Sequence, residues 1–134
     1  MSNLTSRVAE CSCGALRVTC VGEPERVSVC HCLACQRRTG SPFGQQSRWR
    51  AERVTITGPS TTFVRVGDEG TRIAFHFCPT CGATVYYELD AMPGMIAVPV
   101  GAFADPAFPP PTWSIYDARK HGWVVMPEGV SHMD

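Results

Sequence analysis

Short alternations of apolar and polar residues recur along the chain, and few apolar stretches run longer than about seven positions. Residues 15–21 (Ala15-Leu16-Arg17-Val18-Thr19-Cys20-Val21) alternate as a half-buried strand does. With the residues before them they predict a hairpin over 5–21, with Cys11-Ser12-Cys13-Gly14 at its turn. Further short strands are expected at 27–29, 43–49, 53–57, 62–66, 72–77, 83–89, 95–100 and 112–116. Turn signals separate them: Gly22-Glu23-Pro24-Glu25, Ser41-Pro42, Gly58-Pro59 and Gly67-Asp68-Glu69-Gly70, the last a strong hairpin signal. One helix of one or two turns is expected over 33–39, ended by Gly40. Pro109-Pro110-Pro111 forces an extended backbone, so 101–111 reads as an ordered surface crossing. The pattern predicts a mostly β chain.

Composition narrows the class. The 134 residues suit one domain with a modest core, and 12 Gly with 11 Pro agree with many turns. Formal net charge is zero, which removes any general pull toward nucleic acid or acidic membranes. Arg48, Arg50 and Arg53 around Trp49 are the best local candidate for nucleic-acid contact. A strand edge with alternating arginines explains them, and no nucleic-acid partner is expected. Residues 1–10 are polar, and no apolar run approaches the roughly 20 residues of a membrane helix. A soluble, cytoplasmic protein without a membrane partner is expected.

Chemistry concentrates in the cysteines. Seven of the 8 fall in three clusters: Cys11 and Cys13; Cys30, Cys32 and Cys35; Cys78 and Cys81. Cys20 lies within a strand and reads as a small buried apolar residue. Such clusters suit metal knuckles better than disulfides. A two-cysteine knuckle cannot saturate zinc, so Cys11, Cys13, Cys78 and Cys81 combine into a structural Cys₄ site. Cys30, Cys32 and Cys35 then hold a second zinc with one position open, the arrangement of a working metal. A grouping of Cys30, Cys32 or Cys35 with one of the knuckles remains an alternative. His31 is a candidate acid or base near the open position, or else a fourth ligand. Arg37 and Arg38 are candidates for holding a substrate carboxylate, with a solvated helix face as the plain alternative. His76 reads as a satisfied partner within a strand.

From about Cys11 to Trp123 the chain resembles the glutathione-dependent formaldehyde-activating family, whose relatives include centromere protein V. The resemblance rests on Cys11-Ser12-Cys13-Gly14-Ala15, on Cys30-His31-Cys32 with Cys35 and Arg37-Arg38-Thr39-Gly40, and on Phe77-Cys78-Pro79-Thr80-Cys81-Gly82. The 101–106 segment and the late aromatic stretch ending at Trp123 also match. This implies small β-sheets folded over like a tent, in one domain spanning 1–134 with its core at about 11–123. It also implies two zinc ions per chain, divided as ligand counting divides them. The implied activity is a zinc-dependent carbon–sulfur lyase reaction in which glutathione, or a similar thiol, adds to formaldehyde to give S-hydroxymethylglutathione. The partner is then a small thiol or aldehyde, with a homodimer as the expected assembly. The chain departs from the family's habit at Ser114-Ile115 and at Ala118-Arg119, where relatives often carry His and Ser. The competing readings are a zinc-stabilised binding module, and a zinc-ribbon interaction protein with every site closed.

Overall fold

A computed structural model describes residues 5–67 and 69–134. The strands are β1 (Ser6–Glu10), β2 (Arg17–Val21), β3 (Arg26–Cys30), β4 (Gly44–Arg50), β5 (Val54–Thr57), β6 (Thr61–Val66), β7 (Arg72–Phe77), β8 (Thr84–Leu89), β9 (Met95–Pro99), β10 (Trp113–Ile115) and β11 (Ser131–His132). The α-helix α1 spans Leu33–Thr39, as expected from the sequence, and Gly40 closes it with φ 65°. Asp68, part of the expected 67–70 turn, and residues 1–4 of the polar start lie outside the described residues.

The protein is mostly β, in two unequal sheets. The smaller has the order β1-β2-β5; the larger runs β11-β10-β3-β4-β9-β8-β7-β6. Pairing is antiparallel except at β10, which lies parallel to both β3 and β11. The short β11 strand has no counterpart in the alternation, since two residues are too few to show a period.

One face of the large sheet packs against the small one. Ala9, Val18 and Cys20 from the small sheet and Leu16 from its turn meet Trp49, Val85, Tyr86 and Val98 from the large one. Cys20 is fully buried there, as expected of an unpaired cysteine inside a strand. Trp49 is also fully buried, and its indole N–H donates to Ser47 Oγ (2.8 Å), which donates to the Val98 carbonyl (2.9 Å). Trp49 is therefore core and not part of an exposed basic stripe, and Arg50 is paired with Glu25. The proline-rich crossing carries no strand, yet Phe108 turns inward and stacks on Phe103 (4.7 Å between centroids).

Alternation sends every second residue of the large sheet to its other face. Arg48 pairs with Ala97, Ala97 with Tyr87, and Tyr87 with Phe75, so these four lie in one row. Helix α1 sits near one end of this face, against β4. This second face, away from the main core, carries the site.

Candidate metal centres and the arginine-lined cavity

Two groups of thiols converge. The Sγ atoms of Cys11, Cys13, Cys78 and Cys81 all lie within 4.8 Å of one another, and so do those of Cys30, Cys32 and Cys35. The clusters thus assemble as four plus three, and the alternative grouping that mixed Cys30, Cys32 or Cys35 with a knuckle does not form.

The four-cysteine group is built from two similar turns. In the first, the Cys11 N–H donates to Leu16 O and the Gly14 N–H to Cys11 O; in the second, Cys78 N–H donates to Ala83 O and Gly82 N–H to Cys78 O. Gly14 and Gly82 both have φ 81°, which a side chain would resist. Backbone N–H groups point at the sulfurs: Leu16 N–H at Cys11 Sγ (3.3 Å) and Thr80 N–H at Cys78 Sγ (3.4 Å). Backbone hydrogen bonding, from Ala83 first, lowers the Cys81 thiol to about 6, which favours the thiolate. The Cys11–Cys13 and Cys13–Cys78 sulfurs are 3.6 Å apart. All eight cysteines are free thiols, so these are not disulfides. Four sulfurs placed tetrahedrally about 2.3 Å from one zinc stand about 3.8 Å apart, so the spacing suits that ion.

The three-cysteine group sits where β3 runs into α1. Cys30 ends the strand and is buried; Cys32 caps the helix, its Sγ accepting the Cys35 N–H (3.3 Å). Hydrogen bonds from the neighbouring Cys30 and Cys35 thiols hold Cys32 far below the ordinary thiol value, while Cys30 is pushed up. Negative charge is thus favoured at Cys32, and the three donors suit a soft or borderline cation.

His31 stands apart from the thiols, outside the converging group. Its side chain is fully buried, and its Nε2 lies 2.9 Å from Ser114 Oγ. Ser114 donates its hydroxyl hydrogen to Asp117 Oδ1, so His31 Nε2–H is the donor to Ser114. Asp117 Oδ2 in turn meets His132 Nδ1. Burial, opposed by Asp117, lowers the His31 value, which keeps the ring neutral. The His31 backbone is held as well: its N–H donates to Ile115 O (3.0 Å) and its carbonyl accepts from Gln36 Nε2 (2.9 Å). The Gln36 amide also reaches Arg119 O and accepts from His121 Nε2. Two side-chain networks from the C-terminal segment therefore brace the loop between Cys30 and Cys32. His76 is a satisfied strand histidine, between Thr62 and Glu88.

Cys30, Cys32 and Cys35 open onto a cavity of about 640 Å³. Its floor is the second face of the large sheet, with Ile73, Phe75, Tyr87 and Ala97. Its cations are Arg37, Arg38, Arg48, Arg65 and Arg119. Arg38 lies over both Phe75 (5.2 Å) and Tyr87 (5.3 Å), and Arg65 over Phe75 (5.6 Å). Both arginines singled out from the sequence thus line the cavity. Arg48, Arg65 and Arg119 were not singled out as site residues. Alternation puts Arg48 opposite Trp49 across the sheet, a legible signal once Trp49 is known to be core. Arg65 comes from the far end of the sheet, and no local pattern marks it.

Residues 6–119 match the family described as glutathione-dependent formaldehyde-activating enzyme. The chain belongs to that family. No curated protein matches it. Among solved structures, it is similar to a Rhodobacter sphaeroides protein determined by crystallography in a structural genomics programme. That likeness has a TM-score of 0.52 at 22% identity, covering 71% of this chain and 85% of the other, and it concerns the fold. Family membership agrees with the two thiol clusters, both of which have donor sets able to hold metal.

Proposed function

We propose that this member of the glutathione-dependent formaldehyde-activating family makes and breaks a carbon–sulfur bond between a low-molecular-weight thiol, glutathione or a close analogue, and formaldehyde or a similar small aldehyde. The observation that carries this reading is the three-thiol group opening on an arginine-lined cavity. A closed structural site would have no need of either feature. Cys30, Cys32 and Cys35 would hold a zinc ion, and Cys11, Cys13, Cys78 and Cys81 a second, structural one. Held by Cys30, Cys32 and Cys35, such an ion would supply Lewis acidity that favours the thiolate form of an incoming thiol at neutral pH.

The chemistry balances as an addition. The substrate sulfur forms a bond to the aldehyde carbon, the carbonyl electron pair moves to oxygen, and that oxygen takes a proton equivalent to the one lost by the thiol. Cleavage is the reverse. The residues of the chain bind and orient. Arg37 and Arg38 project from α1 beside Cys35 and present planar donor pairs to a substrate carboxylate. The apolar floor of Phe75 and Ala97 keeps bulk water from the reacting atoms. His31 acts as a brace for the cysteine loop, since it is buried and does not line the cavity. The expected setting is the cytoplasm, where low-molecular-weight thiols are kept reduced.

The test is metal content together with a thiol titration of cobalt-substituted protein. Two metals per chain are expected, with Cys32→Ala folded and holding one. Glutathione should shift the cobalt spectrum of the wild type and leave that of Cys32→Ala unchanged. A single metal per chain, or a spectrum indifferent to thiols, would point instead to a zinc-stabilised binding module.

A further inference from the structure

The cavity carries more positive charge than a glutathione-like thiol would use. Five of the chain's 12 cationic residues line it, in a molecule whose formal net charge is zero. Among the described residues, the arginine–carboxylate pairs are Arg7–Glu23, Arg17–Glu10 and Arg50–Glu25, and none involves a cavity arginine. Glu69 is the one acidic residue on the described lining.

The sheet adds a like-charge pair to this excess. Arg26 and Arg48 are direct cross-strand partners on β3 and β4, an arrangement that costs stability unless an anion lies nearby. Burial first, and then the Arg48 charge, lower the Arg26 value. The Arg26 Nε atom is buried without a partner, its guanidinium lying over the Trp113 ring (4.2 Å).

Between this pair and the cysteines stands Gln46, two residues along β4 from Arg48 and two from Gly44, the partner of Cys30. Gln46 lines the cavity yet is only 6% exposed. Its Nε2 donates to Ser28 Oγ (3.0 Å), and its Oε1 is buried with no partner. A buried acceptor left open in this way is costly, and a ligand N–H that reached it would satisfy it. Four residues of strand separate Gly44 from Arg48, about 13 Å. A ligand lying along β4 would meet thiol chemistry first, then an acceptor for an N–H, then guanidinium groups.

We infer that the cavity takes an amide-containing thiol whose tail carries more negative charge than that of glutathione and no ammonium group: a polyanionic thiol bearing phosphate or several carboxylates. This rests on the thiol reading given above and names a low-molecular-weight thiol other than glutathione as the preferred one. Glutathione brings two carboxylates and an ammonium; its net charge of −1, with Glu69 and the formal charge of about −1 of a zinc held by three thiolates, still leaves arginines unanswered, and among the described lining residues its ammonium finds only Glu69. A polyanion without that ammonium satisfies Arg48 and Arg65, relieves the Arg26–Arg48 repulsion, and offers an amide N–H to Gln46.

Calorimetric titration of the zinc-loaded protein tests this with four thiols: glutathione, N-acetylglutathione, coenzyme A and pantetheine. Coenzyme A or N-acetylglutathione should bind at least tenfold more tightly than glutathione. Which of them leads distinguishes a phosphate tail from a carboxylate one, and pantetheine, without the phosphates, should bind more weakly than coenzyme A. Arg48→Gln and Arg65→Gln should each weaken the preferred ligand at least fivefold and leave pantetheine unchanged. Glutathione binding as tightly as the better of the two polyanions would overturn the inference, as would arginine variants that treat all four thiols alike. The cobalt spectrum separates this failure from that of the parent reading. Equal affinities with a thiol-dependent shift leave the carbon–sulfur chemistry standing and remove the polyanion. No shift with any thiol removes both.

Discussion

Ser114 and Gly44 show how single positions tune the cysteine loop. Ser114 is fully buried and joins His31 to Asp117, so the histidine ring has one defined orientation between two cysteines. The sequence marks Ser114 only as a departure from its relatives, whereas the structure shows what the small hydroxyl does. Gly44 matters through space rather than through backbone angle. A Cβ there would stand 3.1 Å from Arg38 Nη2 and 3.3 Å from Cys35 Cβ, tighter than ordinary contact. Gly44→Ala should therefore displace Arg38 and Cys35 by a few tenths of an ångström. We expect a stability loss under about 1.5 kcal/mol in urea. Metal affinity at the three-cysteine site should fall by about tenfold, as disturbed supports of metal ligands usually cause. Competition with a chromophoric chelator measures it, and an unchanged affinity would show that α1 absorbs the added methyl.

At the scale of elements, the C-terminal segment works as a brace. β10 lies parallel between β3 and β11, and Asp117 ties the three together by accepting from Ser114 and pairing with His132. Burial raises the Asp117 value, but the Ser114 hydrogen bond and the His132 ion pair outweigh it, leaving the carboxyl below its ordinary 3.8. A carboxyl depressed in the folded state contributes stability above its unfolded value and loses it as pH falls through the folded one. The stability gap between wild type and Asp117→Asn should be fully present at about pH 5. It should close below about pH 4, read from urea midpoints at each pH. A gap that failed to close below about pH 4 would remove this account of Asp117. Alternation cannot find such a brace, because β11 is two residues long and its partner lies far back in the chain.

For the whole molecule, the four-cysteine group spans the two sheets. Cys11 and Cys13 sit in the β1–β2 turn of the small sheet, and Cys78 and Cys81 between β7 and β8 of the large one. An ion held there fastens the sheets across a separation of 65 residues, beside a core of only moderate size. Chelation of all metal should lower the melting temperature by more than about 10 °C. Cys81→Ser should reproduce most of that loss, and Cys35→Ser, in the three-thiol group, much less. Equal losses from the two variants, followed by differential scanning calorimetry, would make both groups structural.

The strands, the single helix and the Gly40 stop were legible because period-two alternation and turn residues are local properties of adjacent positions. The two thiol groups were legible for a related reason: ligand counting needs only short spacings and the arithmetic of four coordination positions. Cys20 could be set aside on the same local ground. The cavity lay beyond such reasoning. Arg38 on α1, Arg48 on β4, Arg65 on β6 and Arg119 after β10 meet only because the eight-stranded order brings distant strands to one face. Sequence gives each arginine a strand face or a helix turn but no shared neighbour, since contacts between distant segments are set by sheet order and by which face the core takes. The local chemistry of the cysteines was therefore determined by sequence, and the charge that surrounds them was decided by tertiary structure.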